Sequence, residues 1–346
     1  MTTLDTTGAS TPAAGSDADV GFSIVIPVKA INAYLEESIP AILALDHGAF
    51  EVIVLPNEMP AEGVPTFMQD PRIHVVPTGR VSPALKRDEG ARRARYDHLA
   101  FLDDDAYPRA DWLTRAAAAF RASGAAAVGG PGVMPAKAGF RERVSGLFFE
   151  TLVGGGGLDY RYRSAGRGFF VDDYPTVNFM VRKDSFVAVG GFDNDFWPGE
   201  DTKFCRDLVA TGRTIWYDPD VVVYHHRRPT LTGHLRQLAG YGRHRGRFAR
   251  LFPETSARPV YFAPALFVLG SAALLAGGLI EPLLWRAYAA LMLVYFAVVA
   301  VDVFRRTANP ALGLATVALV FCSHVTYGLN FLAGFLSGRG FRSRLR

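Results

Sequence analysis

The sequence has few cysteines, and its first residues do not show the pattern of a secretory signal. Cys205 and Cys322 are the only two cysteines in 346 residues, too few for a disulfide framework. Residues 1–20 are rich in Ser, Thr, Ala, Gly and Asp, and they have neither the basic start nor the apolar stretch of a signal peptide. We therefore expect residues 1–20 to be a disordered tail, and the folded part after them to face a reducing cytoplasm.

Formal charge is almost absent from the C-terminal part of the chain. Charged residues make up 20% of the sequence, yet residues 260–336 contain only Glu281, Arg286, Asp302, Arg305 and Arg306. This contrast excludes a single soluble globule, and the high apolar content excludes a mainly disordered chain. The apolar runs 260–280, 283–304 and 311–336 are each long enough to cross a bilayer.

The number of membrane spans has two interpretations. We predict a transmembrane region over residues 260–338 with two or three spans, followed by a basic tail, residues 339–346. Arg305 and Arg306 stand where a two-span hairpin returns to the cytoplasm, as the positive-inside bias predicts. A third full span would place the basic tail outside, against that bias. The third run is therefore re-entrant or interfacial, or it is a span that violates the bias.

Short apolar runs alternate with helical patterns between residues 22 and 102. The runs are FSIVIP, FEVIVLP, IHVVP and HLAFL, and this alternation predicts a parallel α/β sheet. In open sheets of this kind, ligands bind beyond the carboxyl ends of the strands. The site candidates are therefore the polar residues that directly follow the runs: Lys29, Asn32, Asn57, Glu58 and Asp103 to Asp105.

Three aspartates follow the strand HLAFL. Asp103 and Asp105 are two residues apart, so they share one side of the chain if the backbone stays extended. Paired carboxylates at a strand end suit Mg²⁺ or Mn²⁺, which completes its ligand shell with substrate phosphates and water. The structural alternative is a solvated acidic turn or a helix N-cap, with Asp105 or Asp111 starting the next helix.

A second acidic pair, Glu200 and Asp201, follows a loop rich in glycine and proline and precedes a helical pattern. Near a helix N-terminus the dipole favours an ionised carboxylate, which can act as a general base toward an acceptor hydroxyl. An N-cap role for Asp201 is the structural alternative. His225 follows the apolar run DVVVY and is either a third metal ligand, a diphosphate contact or a structural hydrogen-bonding group.

Residues 227–258 carry eight arginines and one acid, Glu254. A helical wheel separates arginines from apolar side chains: Arg236, Arg243, Arg247 and Arg250 against Leu238, Tyr241, Phe248 and Phe252. We predict amphipathic basic helices over residues 231–259 in the membrane interface, as a general anchor or as a site for a lipid-linked phosphate or diphosphate. Gly240, Gly242 and Gly246 either weaken the helix or permit close backbone approach to a phosphate.

The glycine-rich segment LVGGGGLDYRYRSAGRGFF lacks the lysine of a phosphate-binding loop. We interpret it either as a mobile loop near the active site, covering the acceptor, or as an ordinary flexible surface loop. His324 lies in an apolar run, where a hydrogen bond to a backbone group is favoured over a ligand role.

Several segments together resemble the family-two inverting glycosyltransferases of the GT-A fold. They are FSIVIPVKA, KRDEGARRARYDHLAFLDDDAYP, the segment from TVNFMVRKDSF through PGEDTKFCRDL to VVVYHH, and the arginine-rich stretch, over roughly residues 22–250. The resemblance implies a mixed α/β GT-A catalytic domain over residues 21–230. It also implies transfer of a sugar from a nucleotide-diphosphate donor, with UDP as the first candidate nucleotide and with inversion at the anomeric carbon.

The resemblance also assigns roles to residues of this sequence. Asp103 and Asp105 correspond to the pair that holds the metal, with His225 as a candidate third ligand. Asp201, with Glu200 beside it, corresponds to the base. The implied donor-nucleotide residues are Pro27, Val28, Lys29, Asn57, Glu58, Arg87, Asp88 and Asp104. The implied acceptor or diphosphate residues are Asn178, Trp197, Gln237, Tyr241, Arg243 and Arg245.

The sequence departs from the family pattern at two places. The second strand normally ends in an aspartate that contacts the nucleoside, whereas VIVLPNEMP has Asn57 and Glu58. The Gln-x-x-Arg-Trp motif of processive polymer synthases is absent, since Gln237 begins QLAGYGRHRGRF.

The predicted function is sugar transfer to a polyprenyl phosphate or a lipid-linked saccharide. We expect a multi-pass protein of the inner membrane with its catalytic domain on the cytoplasmic face, acting in cell-envelope glycan biosynthesis. Its expected partners are a nucleotide-sugar donor, a lipid-linked acceptor and the bilayer, and not nucleic acid. The alternatives are extension of an exported polysaccharide, or a non-catalytic membrane scaffold with the same fold.

Overall fold

The computed structural model describes residues 20–337 apart from residues 165, 193 and 198. The predicted basic tail and nearly all of the predicted N-terminal tail lie outside the described residues. The strands are β1 Phe22–Pro27, β2 Phe50–Leu55, β3 Ile73–Val75, β4 His98–Leu102, β5 Ala106–Pro108, β6 Ala127–Gly129, β7 Gly132–Val133, β8 Phe169–Val171, β9 Asn178–Arg182, β10 Ile215–Tyr217 and β11 Val223–His225.

The helices fall into two groups. Those of the α/β part are α1 Ala33–Leu43, α2 Pro83–Arg93, α3 Trp112–Ser123, α4 Phe140–Glu150, α5 Leu152–Gly155, α6 Lys183–Ala188 and α7 Glu200–Ala210. Those that follow are α8 Leu231–Leu251, α9 Pro253–Ser256, α10 Pro259–Gly277, α11 Leu283–Phe304 and α12 Pro310–Leu336.

An eight-stranded mixed sheet forms the centre of the α/β part, in the order β3-β2-β1-β4-β9-β6-β10-β8. The four predicted strands pair in parallel as β3-β2-β1-β4, as the alternation of runs indicated. Strand β9 runs antiparallel between β4 and β6, and β8 pairs antiparallel with β10 at the sheet edge. Strands β1, β2 and β4 are buried along their whole length because helices cover both faces.

A smaller three-stranded sheet, in the order β5-β11-β7, lies beyond the end of β4. Strand β11 pairs antiparallel with β5, so His225 lies opposite Ala106. This pairing brings the histidine that follows the run DVVVY next to the three aspartates that follow β4.

Three helices, α10, α11 and α12, are long and apolar enough to cross a membrane. Their bounds agree closely with the three apolar runs of the sequence. Helices α8 and α12 pack side by side and run in the same direction. Residues early in α8 contact the middle of α12, and residues late in α8 contact its end. His234 Nε2 lies 3.1 Å from Ser323 Oγ, and Arg250 Nη1 donates to the Phe335 carbonyl at 3.4 Å.

The glycines of α8 serve this helix pair. A Cβ added at Gly242 would overlap the carbonyl oxygen of Tyr327, and one at Gly246 would overlap that of Phe331. These two glycines therefore allow close approach to another helix rather than to a phosphate, which corrects that alternative from the sequence. Gly240 has open space around its Cβ position.

The glycine-rich segment is anchored against the apolar helices. Leu152–Gly155 forms the short helix α5. The Val153 amide donates to Asp302 Oδ2 of α11 at 2.8 Å, and the Val153 carbonyl lies 3.2 Å from His324 Nε2 of α12. The backbone bond predicted for His324 is thus confirmed, whereas this part of the predicted mobile loop is a docked helix.

Candidate active site

The carboxyl ends of β1 and β2 are joined by a buried lysine. Lys86 Nζ donates to the carbonyls of Val28 and Leu55 at 2.7 and 2.9 Å, and to Asn57 Oδ1 at 2.7 Å. Burial lowers the pKa of Lys86 to about 8. The sequence analysis did not identify Lys86 as a site residue. Its position one helical turn after the N-cap Ser82 places it near the start of α2, which could have indicated a role beside the strand ends.

A cavity of about 370 Å³ opens beside these strand ends. Lys29, Asn57 and Glu58, three of the predicted nucleotide residues, line it together with Arg80. Pro27 and Val28 are buried and do not line the cavity, which differs from the predicted contact with the nucleoside. Arg80 Nε lies 3.9 Å from Glu58 Oε1, so the lining carries the cation of Lys29 beside this pair. A cavity at the ends of parallel strands is the expected position for a nucleotide.

Asp103, Asp104 and Asp105 form a turn, in which the Ala106 amide donates to the Asp103 carbonyl at 3.1 Å. The backbone is therefore not extended, and each carboxylate takes different partners. Asp103 Oδ1 accepts from Arg87 at 2.7 Å, and Asp104 Oδ2 accepts from Asn32 at 2.6 Å. Asp105 lies 3.2 Å from His225 Nε2 and 3.4 Å from Arg228 Nη1.

These surroundings shift the pKa values of Asp104 and Asp105 in opposite directions. Burial raises the pKa of Asp104 to about 6, and the hydrogen bond from Asn32 opposes this only in part. Burial acts on Asp105 in the same direction, but His225 and Arg228 outweigh it and lower its pKa to about 2. Asp105 is thus an ionised group at neutral pH.

Arg87 joins the aspartate turn to the second acidic site. Its guanidinium is almost fully enclosed, and it donates to Asp103 at 2.7 Å and to Glu200 Oε1 at 2.8 Å. In the structure, Arg87 therefore contacts two carboxylates. The sequence analysis instead predicted a contact with the donor nucleotide. Because its Nη1 binds Glu200 and its Nη2 binds Asp103, the planar guanidinium of Arg87 bridges the two carboxylates and limits the distance between them.

Asp88 also differs from its predicted place beside the nucleoside. Its Oδ1 accepts from the Phe192 amide at 2.9 Å, so it holds the turn before the second acidic site. Burial raises its pKa to about 6.

Asp201 lies in the first turn of α7, which begins at Glu200 as the sequence predicts. The N-cap is Gly199, which has a φ of 120°, and a Cβ there would overlap the His244 ring. Glu200 Oε2 accepts from the Gly199 amide at 2.9 Å, and Glu200 is buried, whereas Asp201 is partly exposed and its Oδ1 accepts from the Thr202 amide at 2.7 Å. Burial, together with the charges of Glu200 and Asp173, raises the pKa of Asp201 to about 7.

Asp173 is a buried acidic residue that sequence reasoning missed. Arg245 Nη2 donates to its Oδ2 at 3.0 Å, and Arg161 Nη2 lies 3.6 Å from the same oxygen. Burial acts to raise its pKa, but the two arginines outweigh burial and lower the pKa to about 2. Asp173 therefore stays negative and opposes ionisation of Asp201.

The acceptor residues predicted on α8 separate onto different sides of the helix. Arg243 and Arg245 are two positions apart, about 200° on a helical wheel, and so cannot reach the same site. Arg245 reaches Asp173, whereas Arg243 Nη2 donates to Asn330 Oδ1 of α12 at 3.2 Å. Gln237 Nε2 donates to the Tyr241 hydroxyl at 3.0 Å, and the charge of Asp201 acts on that hydroxyl.

Asn178 has a structural position that differs from the predicted acceptor contact. Its side chain is 0% exposed. The Oδ1 atom accepts from Trp112 Nε1 at 2.9 Å, and Nδ2 donates to the Val221 carbonyl at 2.7 Å. An enclosed amide with these partners has no free face for a substrate. Trp197 is half-buried and packs on the core beside α7.

The residues suited to a divalent cation are Asp103, Asp105 and His225. In the part of the chain that the structure describes, no group of three His, Cys, Asp or Glu side chains is arranged as a complete metal site. Asp103 and Asp105 instead pair with the side chains of Arg87 and Arg228. A metal ion could bind the same carboxylate oxygens if these arginines moved away from them. Two carboxylates suit a hard cation that completes its shell with phosphate oxygens and water.

Comparison with known proteins bears directly on this site. Residues 98–321, more than half of the chain, match the family described as glycosyl transferase family group 2. The chain belongs to this family. The match includes the aspartate turn, Asp201 and most of the apolar helices.

Two curated relatives share part of the sequence. A pre-mycofactocin glycosyltransferase of Mycobacterium tuberculosis is 28% identical over 184 residues, which cover 53% of this chain and 38% of that protein. The chain thus spans less than half the length of that relative. A dolichyl N-acetyl-α-D-glucosaminyl phosphate 3-β-D-2,3-diacetamido-2,3-dideoxy-β-D-glucuronosyltransferase of Methanococcus voltae is 23% identical over 261 residues, covering 72% of this chain and 74% of that protein.

A solved structure shares the fold along most of the chain. It is a mannosyltransferase from Pyrobaculum calidifontis in complex with GDP-Man and Mn²⁺, with a TM-score of 0.58 and 18% identity. The alignment covers 93% of this chain and 90% of that one. The predicted GT-A fold with a C-terminal helical region is therefore confirmed.

Proposed function

We propose that this protein is a metal-dependent inverting glycosyltransferase that moves a sugar from a nucleotide-diphosphate donor to a lipid-linked acceptor. The observation that carries the proposal is the pair of acidic sites, Asp103–Asp105 and Glu200–Asp201, held together by Arg87. A direct displacement requires a leaving-group site and a base on opposite sides of the reacting carbon. The two clusters supply these two sites.

The donor is assigned to the strand-end cavity. Lys29 lines it and attracts phosphate, while Asn57 and the Arg80–Glu58 pair offer hydrogen-bonding groups for the nucleoside. We propose a UDP-sugar as the first donor to test. GDP-mannose is the second, since the Pyrobaculum protein of the same fold was solved with it.

Asp103 and Asp105, with His225 behind Asp105, are the residues that would hold a Mg²⁺ or Mn²⁺ ion. When bound there, the ion would offset the negative charge that develops on the departing nucleoside diphosphate. Arg87 and Arg228 already place positive charge on the same carboxylates. These arginines keep the turn ordered, and Arg228 together with His225 lowers the pKa of Asp105, so that this carboxylate is ionised for a metal ligand role.

The transfer forms one bond and breaks another at the anomeric carbon. An acceptor oxygen attacks that carbon, the bond to the diphosphate oxygen breaks, and the nucleoside diphosphate leaves with the electron pair. Asp201 accepts the proton from the acceptor hydroxyl. A base with a pKa near 7 is well matched to this task at neutral pH.

The acceptor is proposed to be a polyprenyl phosphate or a lipid-linked saccharide at the cytoplasmic face of the inner membrane. The three apolar helices and the basic helix α8 support this, as does the name of the Methanococcus relative, which acts on a dolichyl-linked substrate. In this proposal residues 21–230 form the catalytic domain, residues 231–259 the interface and residues 260–338 the membrane region.

The test is a donor screen with the full-length protein in lipid nanodiscs. Release of nucleoside diphosphate is measured from UDP-sugars and GDP-mannose, with polyprenyl phosphate or a membrane lipid extract as acceptor. We expect release that requires both an acceptor and a divalent cation, with Mg²⁺ and Mn²⁺ compared directly. Absence of release from every donor, or release unchanged by a chelator, would contradict the proposal.

A further inference from the structure

A second cavity, of about 500 Å³, lies apart from the donor cavity at the far edge of the sheet. It is bounded by the segment after α5, by strand β8 and by the residue that precedes α10. The lining side chains that matter here are Leu158, Tyr160, Arg161, Phe169, Phe170 and Arg258.

Strand β8 presents two aromatic side chains at the edge of the sheet. Phe169 is 40% exposed and Phe170 is 56% exposed. Tyr160 and Tyr217 pack against the Phe169 ring, and Trp216 packs against the Phe170 ring, so the two rings form an ordered wall. An edge strand with exposed aromatic rings invites aggregation unless something covers it.

The position of the cavity indicates what covers this wall. Arg258 lines the cavity and is the N-cap of α10, the first helix that can span the membrane. A Cβ at Gly156, next to the lining residue Gly157, would lie 3.5 Å from Val260 in the first turn of α10. With α10 crossing the membrane, as proposed above, the mouth of the cavity lies at the membrane surface, where hydrocarbon chains are the abundant apolar partner.

Arg161, which lines the cavity, is linked to the proposed base through buried polar contacts. Arg161 is buried and donates to the Asp173 carbonyl, and its guanidinium also faces the Asp173 carboxylate. Asp173 in turn accepts from Arg245 and from the hydroxyl of Thr202, the neighbour of Asp201 in α7. One wall of the cavity is thus continuous with the cluster that surrounds Asp201.

The charges of the lining favour an amphiphile over a free anion. Arg258 pairs with Asp172, and Arg161 pairs with Asp173, so each cation is already compensated. A compensated lining does not attract an inorganic phosphate strongly, whereas aromatic rings beside paired polar groups suit a chain with a polar head.

We propose that this cavity is the access site for the lipid-linked acceptor, whose polyprenyl chain packs on Phe169 and Phe170 while its head points toward Asp201. The inference rests on the proposed function for the identity of the acceptor. It adds a place for the acceptor chain that the Arg161–Asp173 pair links to the surroundings of the base, and it names the residues that select an apolar chain.

The experiment is photo-crosslinking of the full-length protein in phosphatidylcholine nanodiscs that contain a benzophenone-bearing polyprenyl phosphate. Labelled peptides are mapped by mass spectrometry. We expect labels within residues 157–172 and at Arg258. We expect Phe170→Asp to reduce this labelling about tenfold, because a carboxylate in the apolar wall must be desolvated when the chain binds.

Val187→Asp is the matched control, since Val187 is 65% exposed and does not line the cavity. It should label like the wild type. Phe170→Leu keeps an apolar wall and should retain labelling, which separates the effect of the introduced charge from the effect of losing the aromatic ring. Equal labelling of Phe170→Asp and wild type, or labels confined to α8, would overturn the inference.

This readout does not depend on turnover. If no donor supports transfer but the cavity is labelled, the proposed function fails while the lipid site stands. If transfer to polyprenyl phosphate proceeds with an unchanged acceptor KM in Phe170→Asp, the function stands while the access site fails.

Discussion

Asp201 is the residue on which the proposed chemistry depends most. Asp201→Asn keeps the size of the side chain but cannot accept a proton, so we expect nucleoside diphosphate release to fall by about 10²- to 10⁴-fold. Asp207→Asn is the control on the same helix, because Asp207 pairs with Lys203 and Arg206 away from the site. Near-normal glycolipid formation by Asp201→Asn would favour the non-catalytic scaffold.

The acidity of Asp201 predicts the pH dependence. Its pKa is raised to about 7, so it is mostly protonated and inactive as a base below that pH. We expect kcat/KM to fall about tenfold per pH unit below the pKa and to level off above it. Asp173→Asn removes a nearby negative charge, which should lower the pKa of Asp201 and move the acidic limb toward lower pH. An unmoved limb would assign the profile to another group.

The carboxylates of the aspartate turn should control the response to metal. We expect Asp103→Asn combined with Asp105→Asn to raise the Mn²⁺ or Mg²⁺ concentration needed for half-maximal release, because neutral amides are weaker ligands for hard cations. Asp111→Asn is the control, since Asp111 pairs with Arg109 and Arg115. A metal titration unchanged in the double variant would contradict the assignment of these two ligands.

At the scale of elements, the contact between α8 and α12 depends on small residues. Gly246→Leu places a side chain against the backbone of Phe331, and we expect a loss of about 1–3 kcal/mol of stability with a lower Tm. Gly240→Ala, which meets no atom within 4 Å, should leave Tm unchanged or raise it slightly. Thermal unfolding of both variants in the same detergent tests this, and equal Tm values would exclude the close helix contact.

Helix α5 shows why the glycine-rich segment was difficult to interpret. Its sequence resembles a flexible loop, but its ordering comes from Asp302 and His324, which lie 149 and 171 residues further along the chain than Val153. Local composition carries no information about such partners. The helix positions of α7 and α8, in contrast, follow from local signals, namely the acidic residues of the first turn of α7 and the spacing of apolar side chains in α8.

At the scale of the whole molecule, α12 runs beside α8 through its second half. We expect the exposed arginines Arg243 and Arg250 to keep α8 at the membrane surface, because burying them in hydrocarbon would be costly. The part of α12 that packs on α8 must then stay near the same surface. We therefore predict that α10 and α11 cross the membrane and that α12 does not, which also agrees with the positive-inside bias.

Single cysteines test this arrangement after Cys205 and Cys322 have been replaced. Vesicles of each orientation are treated with a membrane-impermeant maleimide. We expect Thr307→Cys and Ser337→Cys to react from the side of the catalytic domain, and Ile280→Cys to react from the opposite side. Reaction of Ser337→Cys together with Ile280→Cys would establish three spans instead.

The sequence by itself determined the division into an α/β part and three apolar helices, because composition and periodicity are properties of consecutive residues. It also located the aspartate turn and Asp201, since both follow directly from a strand end or a helix start. The resemblance then supplied roles for these residues, which the structure arranges at one end of the sheet.

Only the tertiary structure decided how these pieces meet. Arg87 contacts Asp103, 16 residues away, and Glu200, 113 residues away, and no local pattern distinguishes it from a nucleotide contact. Asp173, Lys86 and the enclosed Asn178 were misplaced or missed for the same reason. Their roles come from burial and from charged partners brought close by the fold, and these set the acidity and orientation that the site requires.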